Sequence, residues 1–244
     1  MRQLLVVDAG VVAYDVACDW MRELHRQRVA DEVGDVLLML EHPHVYSMGR
    51  SFIPEHLIWD DESLRRRGIA LHEADRGGSI TYHGPGQLIA YPIVDLRRPG
   101  QEFPDAIKYL RTLEEAVIRT VRRFGLVARR REGMTGVWVG DLKLASIGVN
   151  ISRGVSKHGL AINVGTDLKY FDGMVPCGMP EVAITSMERM LGRPVSTGEV
   201  IERLAKNLGK TLHLRTVFGD VKHLGLRGPG SASNVVELRA AADE

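Results

Sequence analysis

Residues 137–164 constrain the fold most, because they read as short strands joined by tight turns. Val137-Trp138-Val139 and Leu142-Lys143-Leu144 flank Gly140-Asp141, and glycine at the first turn position suits the type II′ turn of a hairpin. Strand-like runs follow at Ile147–Ile151 and Leu160–Val164, and an earlier one lies at Val36–Leu40. Helical spacing surrounds this centre. Ala13, Val16, Ala17, Trp20 and Leu24 predict an amphipathic helix over 13–30. A short helix over 60–67 begins with Asp60, Asp61 and Glu62 at its dipole-favoured end and stops at Gly68. The longest, over 104–124, takes Pro104 in its first turn and buries Leu110, Leu113, Val117, Val121 and Phe124 before Gly125 ends it. Two late helices open with capping boxes, Thr185 with Glu188 and Ser196 with Glu199, and stop at Gly192 and Gly209. Hairpins in the middle and helices at both ends predict an α+β single domain, with helices packed on a mixed or largely antiparallel sheet. Beyond about residue 220 the chain is thinner in core residues, and Gly225–Ser233 reads as loop.

A chain of 244 residues can bury such a core without staples. The formal net charge of +1 gives no whole-molecule field toward nucleic acid or membrane. Basic runs at Arg65–Arg67 and Arg129–Arg131 read as solvated faces. No segment approaches the roughly 20 apolar residues of a membrane-spanning helix, and Asp8 comes too early for a signal-peptide core. With two cysteines, Cys18 and Cys177, the chain fits a reducing compartment. A cytoplasmic location is expected.

The densest chemical signal is Arg76-Gly77-Gly78-Ser79-Ile80-Thr81-Tyr82-His83-Gly84-Pro85-Gly86-Gln87-Leu88-Ile89-Ala90-Tyr91. Glycines near an arginine, a threonine and a histidine let backbone approach a ligand where side chains would block it. The plainer reading is a pair of turns around an edge strand. Neither the phosphate-binding Gly-x-x-x-x-Gly-Lys-Ser/Thr loop nor a complete Gly-x-Gly-x-x-Gly fingerprint is present. Cys177 sits in Met174-Val175-Pro176-Cys177-Gly178-Met179-Pro180, where prolines and a glycine fix the backbone and keep bulk away. It is either a presented nucleophile or a small buried hydrophobe. Cys18 lies in the middle of a helix and is assigned no chemistry. Lys143 interrupts an apolar strand, so it either points to solvent or faces a site. Beside a cysteine, a lysine would help a thiol of pKa about 8.5 to ionise. His42 and His44 alternate as strand neighbours, but no further ligands complete a zinc site, and turn packing is the expected role. A cysteine hydrolase pairing Cys177 with His83 or His158 remains open on spacing alone.

Taken together, these motifs resemble the lipoyl(octanoyl) transferases. The Arg76–Tyr91 run is similar to that family's signature. Gly140–Gly148, His158-Gly159-Leu160-Ala161-Ile162-Asn163 and Pro176-Cys177-Gly178 match further motifs in the family's order, and the likeness covers roughly residues 5–215. Gly178–Val182 departs from the pattern. The resemblance implies the mixed-sheet fold of the lipoate and biotin ligases and of the class II synthetase catalytic core. It implies a catalytic domain over 1–215 and a partly looped extension over 216–244. Cys177 would carry the acyl thioester, with Lys143 as its acid/base partner. Arg76, Gly77, Gly78, Ser79, Ile80, Thr81, Tyr82 and His83, with Ser146, Ile147, Gly148, Gly159, Leu160 and Ala161, would line the acyl pocket. The implied donor is octanoyl acyl carrier protein. The implied acceptors are lipoyl domains of 2-oxoacid dehydrogenase complexes and the glycine cleavage H protein. No cofactor or metal is expected, and the chain should act as a monomer. For an eight-carbon chain, about 0.8 kcal/mol per methylene gives roughly 5 kcal/mol, enough for an apolar pocket to choose chain length. The nearest rivals are an ATP-dependent lipoate ligase of the same fold, a cysteine thioesterase, and a carrier-binding module without activity.

Overall fold

The computed structural model describes residues 2–97, 104–178 and 181–226. In chain order its elements are β1 (Gln3–Val11), α1 (Tyr14–Val29), β2 (Asp35–Glu41), β3 (Val45–Met48), α2 (Asp61–Arg66), β4 (Ala70–Glu73), β5 (Ile80–His83) and β6 (Gln87–Ile93). They continue with α3 (Ala106–Arg122), β7 (Ala128–Arg131), β8 (Met134–Val139), β9 (Leu142–Ser152), β10 (Val155–Asn163), α4 (Met187–Leu191), α5 (Thr197–Leu212) and β11 (Arg215–Gly219). An eight-stranded sheet runs β11-β1-β2-β6-β10-β9-β8-β7, and a three-stranded one runs β4-β3-β5. In the large sheet β1 is parallel to both β11 and β2, and the remaining pairs are antiparallel. The sheet is therefore mixed, and the fold is α+β.

Alternation along β2 shows how the layers stack. Leu37 and Met39 join a core with Leu113 and Val117 of α3 and Leu204 and Leu208 of α5. Val36, Leu38 and Leu40 join another with Trp20, Met21 and Leu24 of α1. Successive side chains point to opposite faces of a sheet, so a strand covered on both faces reads as an unbroken apolar run. The small sheet has its own core, in which Tyr46, Ile80 and Tyr82 meet Leu64 of α2 and Phe171.

Several boundaries differ from the sequence reading. Pro104 lies just ahead of α3, whose first turn is capped by the Asp105 carboxylate accepting from the Lys108 amide at 2.9 Å. Leu110 is only partly buried, and Tyr109 takes the buried place beside Leu113. The cap of α4 is Ser186, whose hydroxyl accepts from the Arg189 amide at 3.2 Å. Thr185 instead belongs to the segment paired with Lys143, and Glu188 reaches forward to the Val195 amide at 2.9 Å. Ser196 caps α5 as read. Gly209 does not stop α5. The helix runs on to Leu212 and closes with His213 at φ +59°. Gly209 is needed where the returning chain crosses, since a Cβ there would lie 2.6 Å from Thr216 Cγ2 and 3.0 Å from the Leu214 carbonyl. The expected domain boundary at 215/216 falls inside β11, which extends the sheet from Arg215 to Gly219, and Leu224 is buried against the α1-side core. Residues 227–244, including most of the loop expected at 225–233, lie outside the described residues.

Candidate active site

A slot opens between β9 and β10 of the large sheet and the loop that leads into β5. Gly77, Gly78, Ser79, Ile80 and Thr81 form one side, and Ser146, Ile147, Gly148, Gly159, Leu160 and Ala161 form the other. Arg76, His83, His158, Tyr14 and Tyr91 complete the wall. Gly148 and Gly159 face each other across the β9–β10 pair. A Cβ on Gly159 would lie 2.6 Å from Pro92 Cδ, and one on Gly148 would lie 3.0 Å from the Gly77 carbonyl. Gly148 thus lets β9 and the loop approach through backbone alone, and Gly159 lets β10 lie close against β6.

Arg76 is buried, and its guanidinium anchors this loop. Nη1 donates to the Ser79 carbonyl at 2.9 Å and the Gly77 carbonyl at 3.1 Å. Nη2 donates to Ser47 Oγ at 2.8 Å and also to the Ser47 carbonyl. These bonds tie the loop to β3. Tyr82, named with the pocket residues from the sequence, is the one that is not on the wall. Its ring stacks on Tyr170 with centroids 5.2 Å apart, and its hydroxyl is 2.9 Å from His44 Nδ1. The aromatic gains more by filling the small-sheet core than by lining a slot.

His83 belongs to a buried polar chain. Gln87 Nε2 donates to the Tyr82 carbonyl at 3.1 Å and to Asn163 Oδ1 at 2.9 Å, leaving Gln87 Oε1 to accept from His83 Nδ1–H at 2.8 Å. The other ring nitrogen, Nε2, then accepts from the Ser47 hydroxyl at 3.1 Å. Burial pushes this imidazole well below its ordinary pKa, with His42 and Arg76 adding to the effect. His83 is thus a neutral ring with both nitrogens engaged. The chain continues from Asn163 Nδ2 to the Thr185 carbonyl at 3.0 Å, while the Thr185 amide donates to the Lys143 carbonyl at 2.9 Å. His158 is also held neutral by burial, against the pull of Asp75, whose Oδ1 lies 2.6 Å from His158 Nε2. That bond, joined by Lys157, holds the Asp75 carboxyl below the usual carboxylate range.

Lys143 does not point to solvent; it is only 2% exposed. Its strand position is fixed on both sides. Trp138 of β8 pairs with it, and its amide donates to the Ala183 carbonyl at 2.8 Å. Nζ lies 5.6 Å from the centroid of the Trp138 ring, within cation–π range. Room for the stem comes from Gly136 (φ +132°), where a Cβ would lie 2.7 Å from Lys143 Cε. The Gly136 amide in turn donates to the fully buried Glu114 of α3 at 3.0 Å.

Cys177 occupies the middle of a 3-10 turn, Pro176–Gly178, closed by the Gly178 amide on the Val175 carbonyl at 3.0 Å. Six residues later the same segment pairs with Lys143, through Ala183 and Thr185. His56 joins the turn to the slot. Its carbonyl accepts from the Val175 amide at 2.8 Å, its ring packs against Gly178, and its Nδ1 is 2.6 Å from Ser79 Oγ. Sequence reasoning missed His56 and Tyr14, because nothing near them in the chain marks them as neighbours of these motifs, and it quoted Tyr91 at the end of the glycine-rich motif without placing it on the wall. Among the described residues, no group of three or more His, Cys, Asp or Glu is gathered as metal ligands. No helix among them is long and apolar enough to cross a membrane.

Comparison with known proteins gives the chain's family and fold. The family model of the lipoyl protein ligase A/B catalytic domain matches residues 13–209. An octanoyltransferase of Chloroflexus aurantiacus is 44% identical over 217 residues, covering 88% of this chain and 96% of its own length. One from Acidobacterium capsulatum is 41% identical over 239 residues, covering 93% of this chain and 94% of its own. Among solved structures, a bi-partite lipoate protein ligase from Thermoplasma acidophilum superposes with a TM-score of 0.69 at 19% identity, over 92% of this chain and 91% of its own. That likeness speaks for the fold alone. By sequence, extent and fold, the chain belongs to the octanoyltransferases of the lipoyl protein ligase A/B catalytic-domain family.

Proposed function

We propose that this protein moves an octanoyl group from an acyl-carrier-protein thioester, through Cys177, onto the lysine amine of a lipoyl domain. The observation that carries the reading is the buried Lys143, pinned by its backbone to the segment that follows the Cys177 turn. A lysine stem enclosed at a glycine and a tryptophan has no purpose as a solvated strand residue. In the first step the Cys177 thiol, relieved of its proton, attacks the thioester carbonyl, and the carrier's thiolate leaves and takes up a proton. In the second, the incoming amine attacks the acyl-cysteine, loses a proton, and returns Cys177 as leaving group. Lys143 is the group assigned to both proton movements, since the substrate ammonium, with pKa about 10.4 in water, must be deprotonated before it attacks. The slot takes the acyl chain. The conversion of a thioester to an amide runs downhill without ATP. The glycine cleavage H protein and the lipoyl domains of 2-oxoacid dehydrogenases are the acceptors this reading names, and the cytoplasm is where they would be met.

The test is to incubate the protein with octanoyl carrier protein and no acceptor, then map the mass adduct. An octanoyl group on Cys177 that passes to an added lipoyl domain is expected. Adduct-free protein that consumes ATP to acylate the domain would establish the ligase reading, and release of free octanoate in place of transfer would establish the thioesterase.

A further inference from the structure

Two cavities abut in this fold and share a wall. The strand register sets the direction of the slot. Ser146 lies opposite Ala161, Gly148 opposite Gly159, and Val149 opposite His158. Lys143 precedes Ser146 on β9, so the Ser146 end is the one nearer the chemistry and His158 marks the far end. Beyond that end lies a second cavity of about 370 Å³, lined in part by Cys18 and Met21 of α1 and by Asp75 and Lys157. Tyr14 and His158 line both cavities.

Each of these rings is held in place. Tyr14 is buried, and burial pushes its phenol up. Its ring stacks on His83 with centroids 5.9 Å apart and meets His72 at 5.4 Å. His158 is fixed by Asp75 at 2.6 Å. The shared wall is therefore built from two buried, pinned rings, with ionised groups behind it.

We propose that Tyr14 and His158 form the end wall that sets acyl chain length, an inference that rests on the acyl-transfer reading of the slot. From Ser146 to Val149 the strand advances three steps, about 10 Å. An extended eight-carbon chain, with carbon–carbon bonds of about 1.5 Å, is of similar length. A longer chain runs into the wall, and every methylene denied burial forfeits about fourfold in binding. Removing either ring joins the slot to the outer cavity, where further methylenes can lie along Cys18 and Met21.

The experiment compares single-turnover acylation of the full chain by carrier thioesters of about eight, ten, twelve and fourteen carbons, read by intact mass. Tyr14→Ala opens the wall from α1. His158→Gly opens it from β10 and suits the backbone there, since His158 has φ +56°. Wild type and Tyr14→Phe should lose about tenfold or more in rate between eight and twelve carbons. Tyr14→Ala and His158→Gly should bring the two within about threefold. Either variant suffices if the other fails to fold. Loss of support without loss of a wall would slow all lengths alike and leave the ratio where it was. A wild-type ratio in a folded, acylating variant overturns the wall. Absence of any adduct on wild type overturns the acyl-transfer reading and the wall with it.

Discussion

Replacing His42 by Gln should flatten the acid limb of the stability curve. His42 is fully buried, with Nδ1 2.7 Å from the Val12 carbonyl and Nε2 2.9 Å from the Tyr91 hydroxyl. A neutral ring serves both partners, donating from Nδ1 and accepting the phenol proton at Nε2. Burial pushes its pKa from 6.5 down to about 4, with the Val12 bond opposing and His72 assisting. In the unfolded chain the ring returns to about 6.5. Between those values the unfolded state binds a proton that the native state refuses, so stability rises with pH across the window. The contribution is whole above about pH 6.5 and is lost as pH falls toward 4. A gap of about 2.5 pKa units at 1.36 kcal/mol each amounts to about 3 kcal/mol. His44, His72, His83 and His158 are lowered by burial as well and act with the same sign. The wild-type curve therefore sums several rings, and the difference from His42→Gln isolates one. Urea unfolding at pH about 7.5, 6.5, 5.5 and 4.5, at fixed ionic strength, gives both curves. From the top of that range to the bottom, wild type should lose about 2–3 kcal/mol more than the variant. Curves that stay parallel within about 0.5 kcal/mol would refute the reasoning, because the buried ring would then be titrating as freely as an exposed one.

Three further outcomes follow from the site. Lys143→Met should cut transfer by several decades, and Lys143→Arg nearly as much, because a guanidinium stays protonated; arginine should retain faster alkylation of Cys177 by a thiol reagent near neutral pH. Rates within a few-fold of wild type for both would return Lys143 to a structural role. Gly136→Ala brings a Cβ within 2.7 Å of both the Ala145 carbonyl and Lys143 Cε at φ +132°. It should cost about 3 kcal/mol in urea unfolding and slow transfer by displacing the lysine stem. Glu114→Ala leaves the Gly136 amide, Arg111 and Arg130 without their shared buried carboxylate. A loss of about 3 kcal/mol is expected in the same assay, and a change under about 0.5 kcal/mol would show that water takes the carboxylate's place.

Much of the architecture is written locally. Helix faces at Trp20 and Leu24 or Leu113 and Val117 repeat at helical spacing, and the hairpin around Gly140 carries its own turn chemistry, so neighbours in the chain suffice to form them. The glycine-rich run could be recognised because backbone approach demands small residues at fixed places. By contrast, the ends of elements depend on what crosses them. Gly209 looks like a helix stop and is instead the spot where Thr216 passes. Thr185 looks like a cap and is held by Lys143.

The sequence by itself determined the fold class and the family signature. Those follow from residue types at fixed spacing, which short-range sterics and hydrogen bonding read directly, whereas the pairing of Cys177 with Lys143 came only from the family resemblance. Only the tertiary structure decided that Lys143 is buried rather than solvated, that Tyr82 packs away from the slot, and that His83 is neutral with both nitrogens engaged. It also brought Tyr14, Tyr91 and His56, which are far apart in the chain, to one slot and its neighbouring turn. The physical reason is that strand alternation gives each side chain two possible faces. Which of them becomes a core and which a cavity depends on segments that meet only when the sheet closes.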